Sequence, residues 1–489
     1  MPLQQQALGG VYAISCILLH LILPLGRPAC YSFFFDATFA ALSEKICLNV
    51  DRNKIEALNC MAIATPQSPI VKAARVSTDK SAMAMATTLF FMWGFLTALN
   101  DILVPHLKNI FDLTYAEVML IQFSFFSAYF FFSIPSGKLI EWIGYKRSMV
   151  AGLFTMGFGA LLFIPAASVP SFPLFLAALI VLAAGITVLQ VSANPYVSVL
   201  GAPETASSRL NLAQAFNSLG TTIAPYLGGL FILSATARRV AELRQLPADV
   251  LQAYRLHEAA SVKLPYLGLG LTLIALGVVI ARFRFPVIAS ADPHEAAQAA
   301  HESVWKYRHL VLGAIGIFLY VGAEVSIGSF LVNYFSQPDI GNVSEKIAAG
   351  FVSFYWGSAM VGRFIGSALL QKLRSGTVLG AAAVASFILV ITSVLSTGHF
   401  AMWSIILVGL FNSVMFPNIF TLGIAGLGPL TGKGSGILVM SIVGGAILPV
   451  LMGALADRIG VHHALLLPAI CYLYIVYYGW RGSRPRVPA

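Results

Sequence analysis

Residues 90–104 read FFMWGFLTALNDILV, an apolar run with one carboxylate, Asp101, near its end. The surrounding sequence extends the run far enough to cross roughly 30 Å of hydrocarbon as a helix. An ionised side chain at membrane depth costs at least roughly 2.5 kcal/mol, so such a residue usually faces a cavity or a partner and has a function. This stretch therefore predicts a membrane helix that carries a titratable functional group.

The composition extends that prediction to most of the chain. Hydrophobic residues make up 58% of it and charged residues only 10%, whereas soluble domains carry about 25% charged residues. The apolar runs do not alternate with polar residues as barrel strands do, so we predict helices. The net charge of +10 is spread over short connectors, which argues against a nucleic-acid surface. Because the Cys and His spacing matches no ligand set, we predict no metal and no cofactor.

We predict an all-α membrane protein with twelve transmembrane helices in two pseudo-symmetric six-helix bundles. The spans fall near residues 86–106, 117–137, 147–167, 172–199, 210–233, 264–283, 308–333, 347–371, 377–396, 400–424, 434–455 and 461–480. The predicted divisions are an N-terminal extension (1–82), a first bundle (83–283), a cytoplasmic connector (284–307), and a second bundle with its tail (308–489).

The extension at residues 1–82 has three interpretations. We favour an over-extended gene start, because Met61, Met83 and Met85 all offer later starts. Residues 7–25 are apolar enough for an additional membrane segment or for the core of a processed leader. The residues before them lack the positive charge of a signal peptide.

Basic residues orient the bundle. The connectors after the even-numbered spans carry eleven Lys and Arg residues, and the short connectors on the other side carry three. The positive-inside rule then places both ends of the twelve-span unit in the cytoplasm. The long connector at 234–263 is basic although it lies on the outer side, and it is an exception to this pattern.

The two halves show an internal repeat. Gln190 precedes Pro195 by five residues, and Asn412 precedes Pro417 by the same interval, at an offset of 222 residues. Gly220 with Pro225 and Gly444 with Pro449 repeat in the same way at an offset of 224. Two matches at nearly one offset favour duplication, and repeated halves around a central site are typical of secondary transporters.

Two intramembrane acids are candidate proton sites. Asp101 lies in span one, and Glu324 lies in span seven, the repeat partner of span one. Partial removal of water would let either carboxyl take up and release a proton. The structural alternatives are a carboxylate fixed by a polar neighbour for Asp101 and an ion pair with Arg363 for Glu324.

Amides along spans four and five form a candidate sugar path. Amides donate and accept hydrogen bonds, which suits a polyhydroxylated ligand, although they also join helices in membrane bundles. Aromatic residues such as Trp93, Tyr320 and Tyr355 would stack on a sugar ring or pack against other helices. The candidate substrate residues are Trp93, Asn100, Gln190, Asn194, Gln214, Asn217, Asn412 and Asn418.

A short charged loop follows span two. Residues 137–147 read GKLIEWIGYKR, which resembles the signature loop of the major facilitator superfamily, Gly-x-x-x-Asp-x-x-Gly-x-Arg-Lys. It differs from the signature at two points. Glu141 stands where the signature has Asp, and Lys146-Arg147 stand where the signature has Arg-Lys. The resemblance implies a gating role for Gly137, Glu141, Gly144, Lys146 and Arg147.

Further motifs resemble the fucose permease and glucose/galactose permease family. They are LNDIL at 99–103, SANPY at 192–196, RLNLAQAFNS at 209–218, FPNIF at 416–420 and VGGA at 443–446. The resemblance implies proton-coupled monosaccharide uptake across the inner membrane of a Gram-negative bacterium, with Asp101 matching an acid implicated in coupling. Fucose permeases carry a second acid in the fourth span. Because Gln190 stands there, we expect glucose or galactose, with fucose as the other sugar to test.

Three other functions stay open at this point. The chain could be an exporter of another small polar solute, a membrane sugar receptor without transport, or a membrane-embedded enzyme. His462 and His463 are adjacent in a short loop without a nucleophile or metal spacing, so we expect no enzyme. The expected partners are a monosaccharide, a proton and the lipid bilayer but no nucleic acid, and we expect a monomer.

Overall fold

The computed structural model describes residues 79–111, 115–169, 171–231, 262–284 and 302–485, with a few isolated positions between 247 and 256. The predictions for residues 1–78 and for most of the 284–307 connector lie outside these residues. Throughout the described part, the regular structure is helical. Its α-helices are α1 (Lys80–Phe111), α2 (Tyr115–Ser168), α3 (Phe172–Val199), α4 (Ala206–Phe231), α5 (Lys263–Arg282), α6 (Arg308–Phe335), α7 (Glu345–Leu369), α8 (Ser375–Leu395), α9 (Gly398–Asn412), α10 (Met415–Gly423), α11 (Thr431–Met440), α12 (Gly444–Ala464) and α13 (Leu466–Tyr477).

Two glycines divide long helical stretches into separate crossings. Gly144 inside α2 has φ 78° and ψ 167°, and Gly460 inside α12 has φ 81° and ψ 155°. Only glycine adopts this backbone without strain, so each glycine turns the chain between two spans. Eight described helical stretches are long and apolar enough to cross a membrane. With these breaks counted, and with α9–α10 and α11–α12 each taken as one crossing, the described helices can be matched to the twelve predicted spans.

Asp79 fixes the beginning of α1. Its carboxylate accepts hydrogen bonds from the Ser81 amide at 2.9 Å, the Ser81 hydroxyl at 2.6 Å and the Ala82 amide at 3.1 Å. These bonds satisfy donors that the first helical turn leaves unpaired. The first helix of the bundle therefore begins with an N-cap immediately before Lys80.

Matching glycine contacts relate the two halves. A Cβ added to Gly220 of α4 would overlap the Phe91 carbonyl of α1, and a Cβ added to Gly444 of α12 would overlap the Phe318 carbonyl of α6. Small residues allow membrane helices to approach this closely. The glycine repeat in the sequence thus corresponds to a repeated helix contact in the fold.

The halves meet most extensively where α2 packs against α11 and α4 packs against α7. A Cβ on Gly137 would lie 2.9 Å from the Gly432 carbonyl. The Ser208 hydroxyl donates to the Ser367 carbonyl at 2.6 Å, and the Ser367 hydroxyl returns a bond to the Ser208 carbonyl at 3.0 Å. These contacts lie at the helix ends that the charge pattern predicts to be cytoplasmic, so the halves are closed against each other there.

Candidate substrate and proton site

In the first half, a buried tyrosine connects three helices. The Gln190 amide of α3 donates to the Tyr129 hydroxyl of α2 at 2.7 Å, and the Trp93 side chain of α1 interacts with the same hydroxyl. The exposed fractions are only 3% for Gln190 and 7% for Trp93. We call Trp93, Tyr129 and Gln190 the N-half cluster.

Unsatisfied amide atoms surround this cluster. The Gln190 Oε1 is buried without a hydrogen-bond partner, and the same holds for both amide atoms of Asn194, one turn further along α3. A buried polar atom without a partner is costly and calls for an explanation, such as an ordered water or a ligand. These atoms offer both donors and acceptors to a polar solute.

The second half contains a corresponding arrangement with charge added. The Asn412 amide at the end of α9 donates to the Tyr355 hydroxyl of α7 at 3.0 Å, and the Tyr320 hydroxyl of α6 donates to the Asn412 carbonyl at 2.9 Å. Glu324 follows Tyr320 by one turn, lies close to its hydroxyl and interacts electrostatically with Arg363. We call these five residues the C-half cluster.

The bonds of Tyr320 bear on the protonation of Glu324. A phenol hydroxyl has one proton, and Tyr320 donates it to the Asn412 carbonyl. The oxygen of Tyr320 is then left as an acceptor towards Glu324. A protonated carboxyl can donate to it, whereas an ionised one cannot, so the arrangement suits the protonated acid.

Arg363 reaches from the C-half cluster to the other half of the molecule. Its Nη1 donates to the Gln214 carbonyl of α4 at 3.2 Å and to the Ser218 hydroxyl. Its Nε is buried and has no hydrogen-bond partner. Among the described residues, Glu324 and Arg363 do not form the ion pair expected as a structural alternative; they interact electrostatically at longer range, and Arg363 also connects to α4.

The other predicted amides lie in separate places. Asn217 of α4 donates to the Phe90 carbonyl of α1 at 2.9 Å, as an amide that joins helices does. Asn211 donates to Asn418 Oδ1 at 3.3 Å across the contact between the halves. The Gln214 side chain is buried, but the contact described above uses its backbone carbonyl. The seven candidate residues whose side chains are described thus do not form one continuous wall in this conformation.

Asn100 and Asp101 lie in the second half of α1. Their side chains fall outside the described part of the structure, so the proton role of Asp101 and the substrate role of Asn100 stay predictions.

The loop between spans two and three packs against the other half. Glu141 lies 3.6 Å from the Lys433 ammonium of α11, and both side chains are partly exposed. The Lys146 ammonium donates to the Ala281 carbonyl at the end of α5 at 2.8 Å, while Arg147 is exposed. Gly144 provides the turn and Gly137 the close approach to Gly432 described above.

Sequence reasoning missed two residues. Tyr129 lies within the aromatic run FFSAYFFF at 125–132 and was not among the candidate residues, although its spacing from Tyr355 is close to the offset between the repeats. Arg209 counted only as a topology signal and as the first residue of the motif at 209–218. It donates to the carbonyls of Val197 at 3.1 Å, Ser198 at 2.5 Å and Ala202 at 2.9 Å, and so joins α3 to α4. Burial lowers the pKa of Arg209 to about 10, which leaves it charged at neutral pH.

A cavity of about 560 Å³ lies elsewhere, at the opposite end of the second half. It contains none of the candidate residues, so its size does not make it the substrate site. Its lining residues are Gln337, Asp339, Val394, Leu395, Ser396, Thr397, His462 and His463.

Known proteins with similar sequences and a similar fold are membrane transporters. The model of the Major Facilitator Superfamily matches residues 83–442. The chain is 53% identical over 403 residues to a glucose/galactose transporter of Brucella abortus, covering 82% of this chain and 94% of that protein. It is 35% identical to the L-fucose-proton symporter of Escherichia coli, covering 80% and 91%. The crystal structure of FucP in the outward conformation matches with a TM-score of 0.76 and 34% identity, over 81% of this chain and 97% of that one.

Proposed function

Because the chain belongs to the major facilitator superfamily, we propose that it takes up glucose or galactose together with protons across a bacterial inner membrane. Membership of this family makes it a multi-pass membrane transporter and not an enzyme. Alternating access, with the two halves rocking about a central site, is the mechanism that such repeated architectures use.

The identity to the Brucella abortus glucose/galactose transporter carries the choice of sugar. It is 53%, compared with 35% to the fucose symporter, over similar shares of the chain. The neutral Gln190, in place of the acid expected of a fucose permease, supports the same choice.

The N-half cluster supplies chemistry that suits a sugar. The indole of Trp93 provides a flat apolar surface for a sugar ring. The unpartnered amide atoms of Gln190 and Asn194 provide donors and acceptors for its hydroxyls. We assign Asn412 to hold the C-half cluster in position, and Asn100, Gln214, Asn217 and Asn418 to contacts with the sugar at other stages of the cycle.

Two acids, one in each half, are the proposed proton sites. Asp101 would carry the coupling proton, as the family resemblance implies. Glu324 takes the place of the acid absent at Gln190, because its partly buried carboxyl lies beside Tyr320 and within electrostatic reach of Arg363. The loop from Gly137 to Arg147 would hold the cytoplasmic end closed while the site faces outward.

A labelled-sugar panel in membrane vesicles tests the proposal. Glucose, galactose, fucose and xylose are offered with an inwardly directed proton gradient, with a reversed gradient and with none. We expect accumulation of glucose or galactose with the inward gradient only, and inhibition by an uncoupler. Vesicles from cells without the protein are the control.

Each alternative gives a different result in the same panel. An exporter would accumulate none of these sugars from the outside, and a receptor would bind sugar without accumulating it. Uptake that ignores the proton gradient would contradict the coupling but leave the choice of sugar standing.

A further inference from the structure

We propose that Arg363 transmits the protonation of Glu324 to the contact between the two halves, so that opening of the α4–α7 contact drives release of the Glu324 proton. The inference rests on the proposed proton-coupled function and assigns a positioning role to a residue of the C-half cluster that itself carries no exchangeable proton at neutral pH. Its basis is the placement of one guanidinium between an acid of its own half and two acceptors of the other.

The closed contact satisfies Arg363 from the other half. Its Nη1 binds the Gln214 carbonyl at 3.2 Å and the Ser218 hydroxyl, both on α4. Glu324, on α6 of its own half, provides the negative charge nearby. Arg363 therefore has partners on both sides of the contact that must open when the site turns to the cytoplasm.

Opening of the α4–α7 contact takes hydrogen-bond acceptors away from Arg363. When α7 moves away from α4, the guanidinium loses both acceptors, and its Nε already lacks one. A guanidinium stays charged in proteins, and a partly buried one such as Arg363 is destabilised when it loses its acceptors without gaining a counter-charge. An ionised Glu324 is the partner within reach that removes this penalty. The open state therefore favours the carboxylate, and the proton leaves Glu324.

The closed state favours the opposite form. With α4 providing acceptors, Arg363 depends less on the carboxylate. The Tyr320 oxygen is then available to accept from a protonated Glu324, because its own proton goes to the Asn412 carbonyl. Proton binding thus stabilises the closed cytoplasmic contact, and proton release accompanies its opening, which is the order that uptake requires.

The groups that face Glu324 support this assignment. They are Tyr320 on α6, Tyr355 and Arg363 on α7, and Tyr472 on α13. The three tyrosines are neutral at physiological pH, so Arg363 is the permanent charge among them. On α4, the neighbouring groups are the uncharged Gln214 and Ser218.

A disulfide reporter across α4 and α7 measures the closed contact directly. The Thr222 hydroxyl lies 3.7 Å from the Met360 sulfur across this contact. Thr222→Cys with Met360→Cys, in a full-length protein whose five native cysteines are replaced by serine, reports closure by the yield of cross-link. In the parent we expect the yield to fall by about threefold or more between about pH 5.5 and 8.5, since ionised Glu324 favours opening.

The Arg363→Gln variant tests whether Arg363, and not Glu324 alone, couples protonation of Glu324 to the α4–α7 contact. It keeps Glu324 but removes the charge that responds to it, so the cross-link yield should become independent of pH. Glu324→Gln should also remove the pH dependence and hold the yield at its high, acid value. Ser208→Ala is the matched control, because it weakens the same contact without touching a charge. It should lower the yield at every pH and preserve the pH dependence.

A pH-dependent yield in Arg363→Gln would overturn the proposal, as would a parent yield that does not change with pH. Melting temperatures of the purified variants identify a variant that fails to fold, and Arg363→Lys then replaces Arg363→Gln. Lysine keeps the charge but reaches fewer acceptors, so it should retain a weakened pH response. Sugar accumulation by the same cysteine variant is measured separately. If accumulation fails while the cross-link responds to pH, the proposed function is wrong and the Arg363 link stands.

Discussion

The N-half and C-half clusters share one arrangement and differ in charge. In each half, an amide donates to a tyrosine of a neighbouring helix, Gln190 to Tyr129 at 2.7 Å and Asn412 to Tyr355 at 3.0 Å. The partner on the first helix of the half is the neutral Trp93 in one case. In the other it is Tyr320, followed one turn later by Glu324.

We interpret this difference as a division of labour between the two halves, in line with the proposed function. The amide–tyrosine bond fixes three helices of each half and is retained in both. The neutral cluster has unpartnered amide atoms and an indole, which suit a sugar. The charged cluster has an acid and an Arg that contacts the other half, which suits coupling of protonation to movement.

The largest expected effect comes from Asp101 in α1. Asp101→Asn should abolish accumulation driven by the proton gradient, because the amide cannot carry a proton between the two sides. Exchange of labelled for unlabelled sugar should persist, since exchange needs no net proton movement. Both are measured in the same vesicles, with Asp457→Asn, an exposed acid, as control. Wild-type accumulation by Asp101→Asn would leave Glu324 as the remaining proton site.

The shared amide–tyrosine bond can be tested in both halves at once. Tyr129→Phe and Tyr355→Phe each leave a buried amide without its acceptor, which costs about 1–3 kcal/mol. Both proteins should therefore unfold at lower temperature by similar amounts. Tyr474→Phe, which removes a hydroxyl that donates to the Leu312 carbonyl at 3.0 Å in a partly buried contact, should destabilise less. A large loss in only one of the two halves would show that the bond does not have the same role in both.

The sequence predicted the helices well and the clusters less well. Apolar runs, Gly144 and the Gly–Pro repeats depend on local composition, so the all-α fold and the superfamily are confirmed. The partners of Arg363 could not be predicted, because they lie on α4, and the sequence does not indicate how closely the two halves approach. Asn217 and Gln190 looked alike as membrane amides, yet one binds the Phe90 carbonyl and the other a tyrosine. Which partner an amide meets depends on how its helix is rotated about its own axis.

Substitutions at Trp93 and Tyr320 test whether the N-half cluster contributes more to sugar affinity than the C-half cluster does. Trp93→Phe keeps an aromatic ring but loses area and the interaction with Tyr129, so we expect sugar affinity to fall by roughly tenfold, equivalent to about 1.4 kcal/mol. Tyr320→Phe should change affinity less and the pH profile of uptake more. Equilibrium binding of labelled galactose to purified protein measures the first effect, and initial uptake rates across pH measure the second. Equal affinity losses in the two variants would argue against the division of labour.

The smallest expected effect comes from the residues that precede α1. A chain that begins at Met followed by Asp79 should insert and transport as the full chain does, because Asp79 caps α1. A chain that begins at Met83 loses this cap, and its melting temperature should be slightly lower at neutral pH. Hydrogen bonds from Ser81 and Ala82 lower the pKa of Asp79, so the difference should disappear as acidification protonates the carboxyl. Loss of transport in the Asp79 chain at normal membrane levels would refute the prediction.

The central claim is that sugar and proton move together, and sugar-driven proton uptake tests it most directly. Purified protein is reconstituted in vesicles that contain a pH indicator, without an initial pH gradient, and galactose or glucose is added outside. The account predicts that the interior acidifies as sugar enters and that Asp101→Asn abolishes acidification while exchange continues. Sugar entry at a normal rate without any change in internal pH would contradict the account.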